Sequence, residues 1–327
     1  MVKIVQFIVF LIIQIPFIPL AIIGLIPMIY KEMKVSKKLG VSFSAGQAIQ
    51  PRWIMHYFRT RADEASVKFV KELPIESHYG FLGLMGAAII ANRICGYKPS
   101  LASIPEPGKE TVMTWLNSRT MHFDRFMEKN VAQVEQVVNM GAGFDLRVLK
   151  YTEGKNVKVF ELDQEKTQNM KIETMIKAGI EYDWVTYVSV DFNKESWVEK
   201  LTENGFDKTK KTFFLWESVS SYLEEDVVRD TLKKMADIGA KGSVIAQDFY
   251  SKAFLKGEIS YLMKKSINLM KKMGEPWIFG IDMSEDAGGN IESFLKESGL
   301  ALKDIVLFGG KGKTNKPFYA IAEAEKR

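Results

Sequence analysis

Between Lys3 and Lys31 the chain carries no charge, and Ile4 to Tyr30 is apolar almost without interruption. A helix needs roughly 20 apolar residues to cross a bilayer, so this run is long enough to span one. Pro16, Pro19, Pro27 and Gln14 predict an irregular helix, of a kind that membrane helices tolerate. A second apolar run, Tyr79 to Ala91, is too short to span comfortably and predicts core or interfacial packing. Between the two runs, WIMHYF and ASVKFVKEL set apolar groups at helical spacing. Lys98 to Lys109 holds three prolines and predicts a loop, followed by a helix near Glu110 to Lys129.

From Glu135 the pattern changes to short apolar runs that alternate with helical segments. The runs predict strands at Gln136–Met140, Val157–Leu162, Val185–Val190, Thr212–Trp216 and Ser243–Asp248, with two late ones at Ile305–Phe308 and Phe318–Ala324. Helices are expected over Glu165–Ala178, Lys194–Glu203, Glu225–Ile238 and Asn290–Ser298. This order predicts an α/β fold: a doubly wound, mostly parallel, seven-stranded sheet covered on both faces, behind a helical N-terminal extension. The expected organisation is a membrane segment over 1–35, a helical cap over 36–130 and a sheet domain over 131–327. A methionine- and lysine-rich insertion at 252–283 has the character of a lid.

Charge and composition refine this picture. Lys31, Lys34, Lys37 and Lys38 follow the apolar run, against Lys3 before it. The positive-inside rule then predicts a single-pass membrane protein with its C-terminal body in the cytoplasm. The net charge of +5 suits an anionic membrane surface and calls for no nucleic-acid partner. The single cysteine, Cys95, excludes an internal disulfide and fits a reducing compartment. With three histidines in 327 residues, no metal site is expected.

The chemistry concentrates where strands meet helices. VVNMGAGFDLR ends a strand and enters a helix, with Gly141 and Gly143 allowing a sharp turn and close approach to a ligand. The third glycine of a dinucleotide fingerprint is missing, and an ordinary strand–helix turn can read the same way. About 20 residues on, FELD ends the second strand; Glu161 and Asp163 share one side, and either can accept from ribose hydroxyls. Asp191, after the third strand, suits an adenine amino group, with Phe192 packing on the ring. The sequence has neither a phosphate-binding P-loop nor a G-x-S-x-G elbow, which disfavours nucleotide triphosphate hydrolysis and serine hydrolysis.

Together, SRTMHFDRF (118–126), QVVNMGAGFDLR (136–147), VFELDQEKTQNMK (159–171), VSVDFNKESWVEKL (188–201) and LWESVSSYLEEDVV (215–228) resemble class I S-adenosylmethionine-dependent methyltransferases. More narrowly they resemble the leucine carboxyl methyltransferase family, over roughly residues 40 to 325. The resemblance implies S-adenosyl-L-methionine as cofactor. It implies that Arg119 pairs with the cofactor carboxylate, that Gly141 and Gly143 underlie it, and that Asp163 holds its ribose. Asp191 and Phe192 would then hold the adenine, and Glu217 would face the cofactor amino group. The chain departs from the family pattern at Glu217-Ser218, where Glu-Gly is frequent, and at Asn139-Met140 before the glycines.

The expectation is a membrane-anchored methyltransferase acting on a small, lipophilic hydroxyl or carboxyl acceptor. The alternatives are a protein carboxyl methyltransferase and a non-catalytic, cofactor-binding tethered protein. His122, Asp248 and Tyr250 are the candidate bases, and none of them is assigned a catalytic role by the pattern.

Overall fold

The computed structural model describes residues 2–192, 194–311 and 316–326. The chain divides into two compact units: 1–104 with 169–181, and 105–168 with 182–327.

The first unit is helical. A continuous helical run, α1 (Val2–Leu39), realises the apolar pattern. It tightens to a 3₁₀ turn at Ile15–Phe17, beside Pro16 and Pro19, and widens to a π turn at Lys31–Val35. It ends at Gly40, which takes the left-handed conformation that favours glycine. Next come α2 (Phe43–Tyr57), α3 (Glu64–Glu72) and α4 (His78–Cys95). Each begins at a residue whose side-chain oxygen accepts a backbone N–H: Ser42, Asp63 and Ser77. The second apolar run therefore lies within a capped helix, α4.

The second unit opens with α5 (Trp115–Val131), followed by β1 (Gln136–Met140), α6 (Arg147–Thr152) and β2 (Lys158–Asp163). Helix α7 (Glu165–Ala178) precedes β3 (Val185–Ser189), α8 (Trp197–Glu203) and β4 (Thr212–Trp216). Then follow α9 (Glu225–Ile238), β5 (Val244–Tyr250), α10 (Lys252–Leu255) and α11 (Tyr261–Lys272). The chain closes with α12 (Ala287–Glu297), β6 (Leu300–Phe308) and β7 (Tyr319–Lys326). The seven strands form one sheet in the order β3-β2-β1-β4-β5-β7-β6, parallel except for β7, which is antiparallel to both its neighbours. The expected doubly wound sheet is present.

Strands β1 and β4 are buried at every position, which is why they read as continuous apolar runs. One face of the sheet carries Val138, Phe160, Phe214, Ile245 and Phe249 into a single core with Leu232 of α9 and Ile291 of α12. The order reverses at β1, whose neighbours are β2 and β4, so the carboxyl ends of these three strands meet at a topological switch point.

One boundary differs from the sequence reading. Residues 105–130, expected in the cap, fall with the sheet-bearing unit, because α5 packs on β4, β5 and β7. The insertion at 252–283 is tied near its C-terminal end: Ile281 N–H donates to Tyr250 O (2.8 Å), and Ile278 N–H to Ser221 O (2.6 Å).

Candidate active site

The glycine turn follows β1. Gly141 has φ +67°, and a Cβ there would stand 2.5 Å from Val219 Cγ2, so both backbone and packing demand glycine. Its N–H donates to Leu162 O at 2.8 Å, which fastens the turn to the end of β2. Gly143, with φ +49°, donates its N–H to Asp163 Oδ2 at 2.6 Å, and Gln164 N–H donates to Asp163 Oδ1 at 2.7 Å. Asp163 thus holds the turn from the neighbouring strand. Glu161, two residues earlier, is buried beside Tyr187, its register partner on β3. Of the two acids the sequence left open, Asp163 is the one joined to the glycine turn.

Arg119 and Glu217 meet although 98 positions separate them in sequence. Arg119, on α5, sets its Nε 2.8 Å from Glu217 Oε1, just beyond β4. The N–H is not aligned with that oxygen, so the contact is an ion pair, and the buried Nε hydrogen lacks an aligned acceptor. Arg119 Nη1 also donates to Ser218 Oγ, and its guanidinium lies 5.3 Å from the Trp115 ring centre. Burial opposes the Arg119 cation, but Glu217, then Tyr319, Tyr250 and Asp248, outweigh it, and the net shift is upward.

Glu217 is shared. Its Oε2 accepts from Arg147 Nη1 at 2.6 Å. Arg147 is fully buried and also engages Asp124 Oδ1 through Nε (2.6 Å) and Asp145 Oδ2 (3.0 Å). Two arginines and three carboxylates therefore form one network behind the glycine turn. The sequence reading did not single out Arg147, Asp124 or Asp145. All three lie inside motifs it quoted, SRTMHFDRF and GAGFDLR, and the signal was an arginine and two acids in otherwise apolar surroundings.

Ser218 explains the departure from Glu-Gly. Its φ is +57°, a region that glycine occupies freely and other residues rarely. The strain is offset by bonding: Ser218 N–H donates to Asp248 Oδ1 (2.8 Å), and Ser218 Oγ lies 3.2 Å from Asp248 Oδ2 and 3.1 Å from the Tyr250 hydroxyl. Ser218→Gly is expected to change stability by no more than about 1 kcal/mol, because relief of backbone strain offsets the lost hydroxyl bonds. Ser218→Val is expected to cost about 2–3 kcal/mol, since it keeps the strain and buries a branched side chain among polar groups. Urea denaturation of both variants checks this; equal stabilities would remove the explanation.

Asp248 is wholly buried and accepts from the Tyr319 hydroxyl at 2.5 Å. Burial pushes its carboxyl from the ordinary 3.8 up to about 6, against the opposing pull of Arg119 and the Tyr319 and Ser218 hydrogen bonds. Between pH 4 and 6 the folded chain therefore binds more protons than the unfolded one. The associated stabilisation is fully present below about pH 4 and is lost as pH rises through 6, an effect of about 3 kcal/mol. Asp248→Asn is expected to abolish this dependence, so that the difference in urea stability between parent and variant changes by about that amount across the window. A difference independent of pH would show that Asp248 ionises normally.

The remaining candidates are dispersed. Asp191 is half-buried and pairs with Lys194 Nζ at 2.8 Å. Its own N–H donates to Glu195 Oε2 at 2.9 Å. Phe192 packs against the sheet core. His122 lies with its ring 5.6 Å from that of Phe308; burial first, then Arg125, lowers its pKa to about 4. It is neutral at physiological pH and packs as a core-edge side chain. Among the described residues no cluster of three or more His, Cys, Asp or Glu could hold a metal ion.

Part of the chain is similar to known proteins. Residues 97–236 match the family model described as leucine carboxyl methyltransferase. A protein of Mycobacteroides abscessus named "Putative S-adenosyl-L-methionine-dependent methyltransferase" is 29% identical over 157 residues, 47% of this chain and 52% of its own length. A second protein of that species with the same name is 33% identical over 137 residues, 41% of this chain and 45% of its own. The chain thus spans about half the length of the curated relatives it matches. Among solved structures, a DUF574 family protein of Streptomyces avermitilis superimposes with a TM-score of 0.51 at 13% identity, over 66% of this chain and 85% of that one, which bears on the fold alone. The matched region is thus similar to leucine carboxyl methyltransferases, and the names of these relatives support S-adenosyl-L-methionine as the cofactor.

Proposed function

We propose that this chain is an S-adenosyl-L-methionine-dependent methyltransferase, held at a membrane, that methylates a small lipophilic acceptor at a hydroxyl or carboxyl oxygen. The observation that carries the reading is the pairing of Arg119 with Glu217 beside a glycine turn bonded to Asp163. An amino-acid zwitterion needs a cation for its carboxylate and an anion for its ammonium group. Arg119, with a buried Nε hydrogen lacking an aligned acceptor, and Glu217 supply the two. Asp163 sits at the end of β2, where ribose hydroxyls are held in doubly wound folds. Asp191 and Phe192 complete the set on the adenine side.

The bound cofactor supplies a methyl group already activated on sulfur. The protein's part is then to align the acceptor oxygen with that methyl and to exclude water. A carboxylate acceptor needs no base, which accords with a His122 whose basicity burial lowers and with a fully buried Asp248. A groove at the insertion, lined by Glu224, Glu225, Lys252, Leu255, Ile278 and Phe279 among others, combines charges of both signs with apolar side chains. Its apolar side chains suit an acceptor with an apolar body, and the 252–283 segment would serve as its lid.

Membrane attachment rests on α1, the one helix among the described residues long and apolar enough to cross a bilayer, with only 11% of its most apolar window buried. The lysines near its C-terminal end, Lys31, Lys34, Lys37 and Lys38, suit the anionic headgroups of a cytoplasmic leaflet. Attachment raises the local concentration of a lipid-soluble acceptor.

Incubation of the full chain with methyl-labelled S-adenosyl-L-methionine and a lipid extract tests the reading. Label is expected in the organic phase, and its loss on mild alkali would identify a methyl ester. Label in a protein band, released by alkali, would favour the second reading, a protein carboxyl methyltransferase, which the family match also suits. Cofactor binding with no transfer would leave a tethered binding protein.

A further inference from the structure

Helix α4 accompanies α1 along most of its apolar length, in the opposite direction. At one end a Cβ on Gly24 would stand 2.6 Å from Gly80 O, and Met28 touches the same glycine. At the other, the Tyr97 ring, just past α4, lies 5.1 Å from Phe7 and 4.9 Å from Phe10. The two uncharged polar amides in the run, Gln6 and Gln14, lie among its less exposed positions, and Gln14 bonds back to Phe10 O. On the outward side nearly every large apolar side chain from Val2 to Tyr30 is exposed. Helix α4 exposes Tyr79, Ile90 and Ile94 as well.

A crossing α1 would carry α4 across the bilayer beside it, because the two are in contact from the Met28 level to the Phe7 level. The ends of α4 are about 27 Å apart, close to the roughly 30 Å of a hydrocarbon core. One short stretch of chain reaches both the start of α4 and the loop that follows it. Trp53 Nε1 donates to His78 Nδ1 (3.2 Å), at the start of α4, and Thr60 Oγ1 donates to Ala102 O (2.6 Å), beyond its end. Seven residues of helix and turn advance only about 10 Å along an axis. In a crossing arrangement this stretch would lie at hydrocarbon depth with Arg59, the buried Arg61–Asp63 ion pair and the charged helix α3, which packs against α4. Charges at that depth cost several kcal/mol each, roughly 2.5–3.5 on insertion scales.

We propose that α1 lies in the plane of one leaflet, backed by α4, so that both of its ends face the same side of the membrane. The occupant of the outward apolar surface is the acyl-chain region of that leaflet. Lys3 at one end, and Lys34, Lys37 and Lys38 at the other, reach its headgroups, all four being exposed. The inference rests on the membrane attachment proposed above and specifies its mode.

Impermeant-maleimide labelling tests it. The full chain, with Cys95→Ser and a single cysteine introduced as Lys3→Cys, Lys37→Cys or Lys68→Cys, is synthesised in the presence of sealed vesicles of phosphatidylcholine and phosphatidylglycerol and recovered by flotation. All three positions are expected to label to the same extent before and after detergent. Protection of Lys3→Cys until detergent is added, with the other two labelled throughout, would overturn the in-plane arrangement and leave attachment intact. Failure of the protein to float with the vesicles would overturn attachment and the arrangement together.

Discussion

Asp163→Ala is expected to weaken S-adenosyl-L-methionine binding by about 100-fold or more, read by calorimetric titration of the full chain in detergent. Two effects add. The carboxylate accepts from Gly143 N–H at 2.6 Å and from Gln164 N–H at 2.7 Å, so its removal loosens the glycine turn at Gly143, while Gly141 and Ala142 stay bonded to Leu162 O. It also removes the acceptor proposed for the ribose hydroxyls. Hydrogen bonds to charged groups contribute about 1.5–3 kcal/mol each, and 100-fold corresponds to about 2.7 kcal/mol. Asp163→Asn keeps the shape and one acceptor oxygen, and should fall between. Asp163 is half-buried at a strand end, so neither variant should lose much stability. An affinity unchanged in a folded Asp163→Ala protein would remove Asp163 from the site and, with it, the assignment of the turn.

The largest effect on stability should come from Arg147→Met, a loss of about 3–5 kcal/mol in urea denaturation. The isosteric length of methionine fills most of the space, so the cost is electrostatic. Arg147 is wholly buried, and its guanidinium answers Asp124, Asp145 and Glu217. Burial alone would depress its charge, but Asp145, Glu217 and Asp124 more than compensate and raise its pKa. Without it, Asp124 and Asp145 stand close together in a region from which water is largely excluded. Arg147→Lys should recover little, since an ammonium cannot fork to three carboxylates. Adding Asp124→Asn to Arg147→Met should recover part of the loss by removing one stranded charge. A single Arg147→Met variant within about 1 kcal/mol of the parent would show that the carboxylates relax into solvent. Because Arg147 also holds Glu217 Oε2, weaker cofactor binding should accompany the loss.

The agreement between strand predictions and the sheet has a simple cause. β1 and β4 are buried on both faces, so their apolar runs are unbroken and their limits, Gln136–Met140 and Thr212–Trp216, coincide with expectation. β6 is longer than expected, beginning at Leu300 rather than Ile305, because it is an edge strand and its polar Lys303 and Asp304 tolerate solvent. At the site, the glycine spacing and FELD were legible because turn and strand-end chemistry is local. The Arg119–Glu217–Arg147 network was not, since it joins α5, the turn after β4 and the start of α6. Ser218 read only as a departure from pattern; its positive φ and its bonds to Asp248 and Tyr250 supply the reason.

What the sequence determined by itself is therefore what periodicity and short-range backbone demands encode: an apolar N-terminal helix, an alternating α/β order, a glycine turn and an acid closing the next strand. Only the tertiary structure decided which acid bonds to that turn and which arginines share Glu217, because pairing across distant segments depends on which strand ends the topology brings together. It also decided that α4 is laid against α1. An apolar run records that a helix avoids water; whether it meets lipid, protein or both depends on what packs beside it.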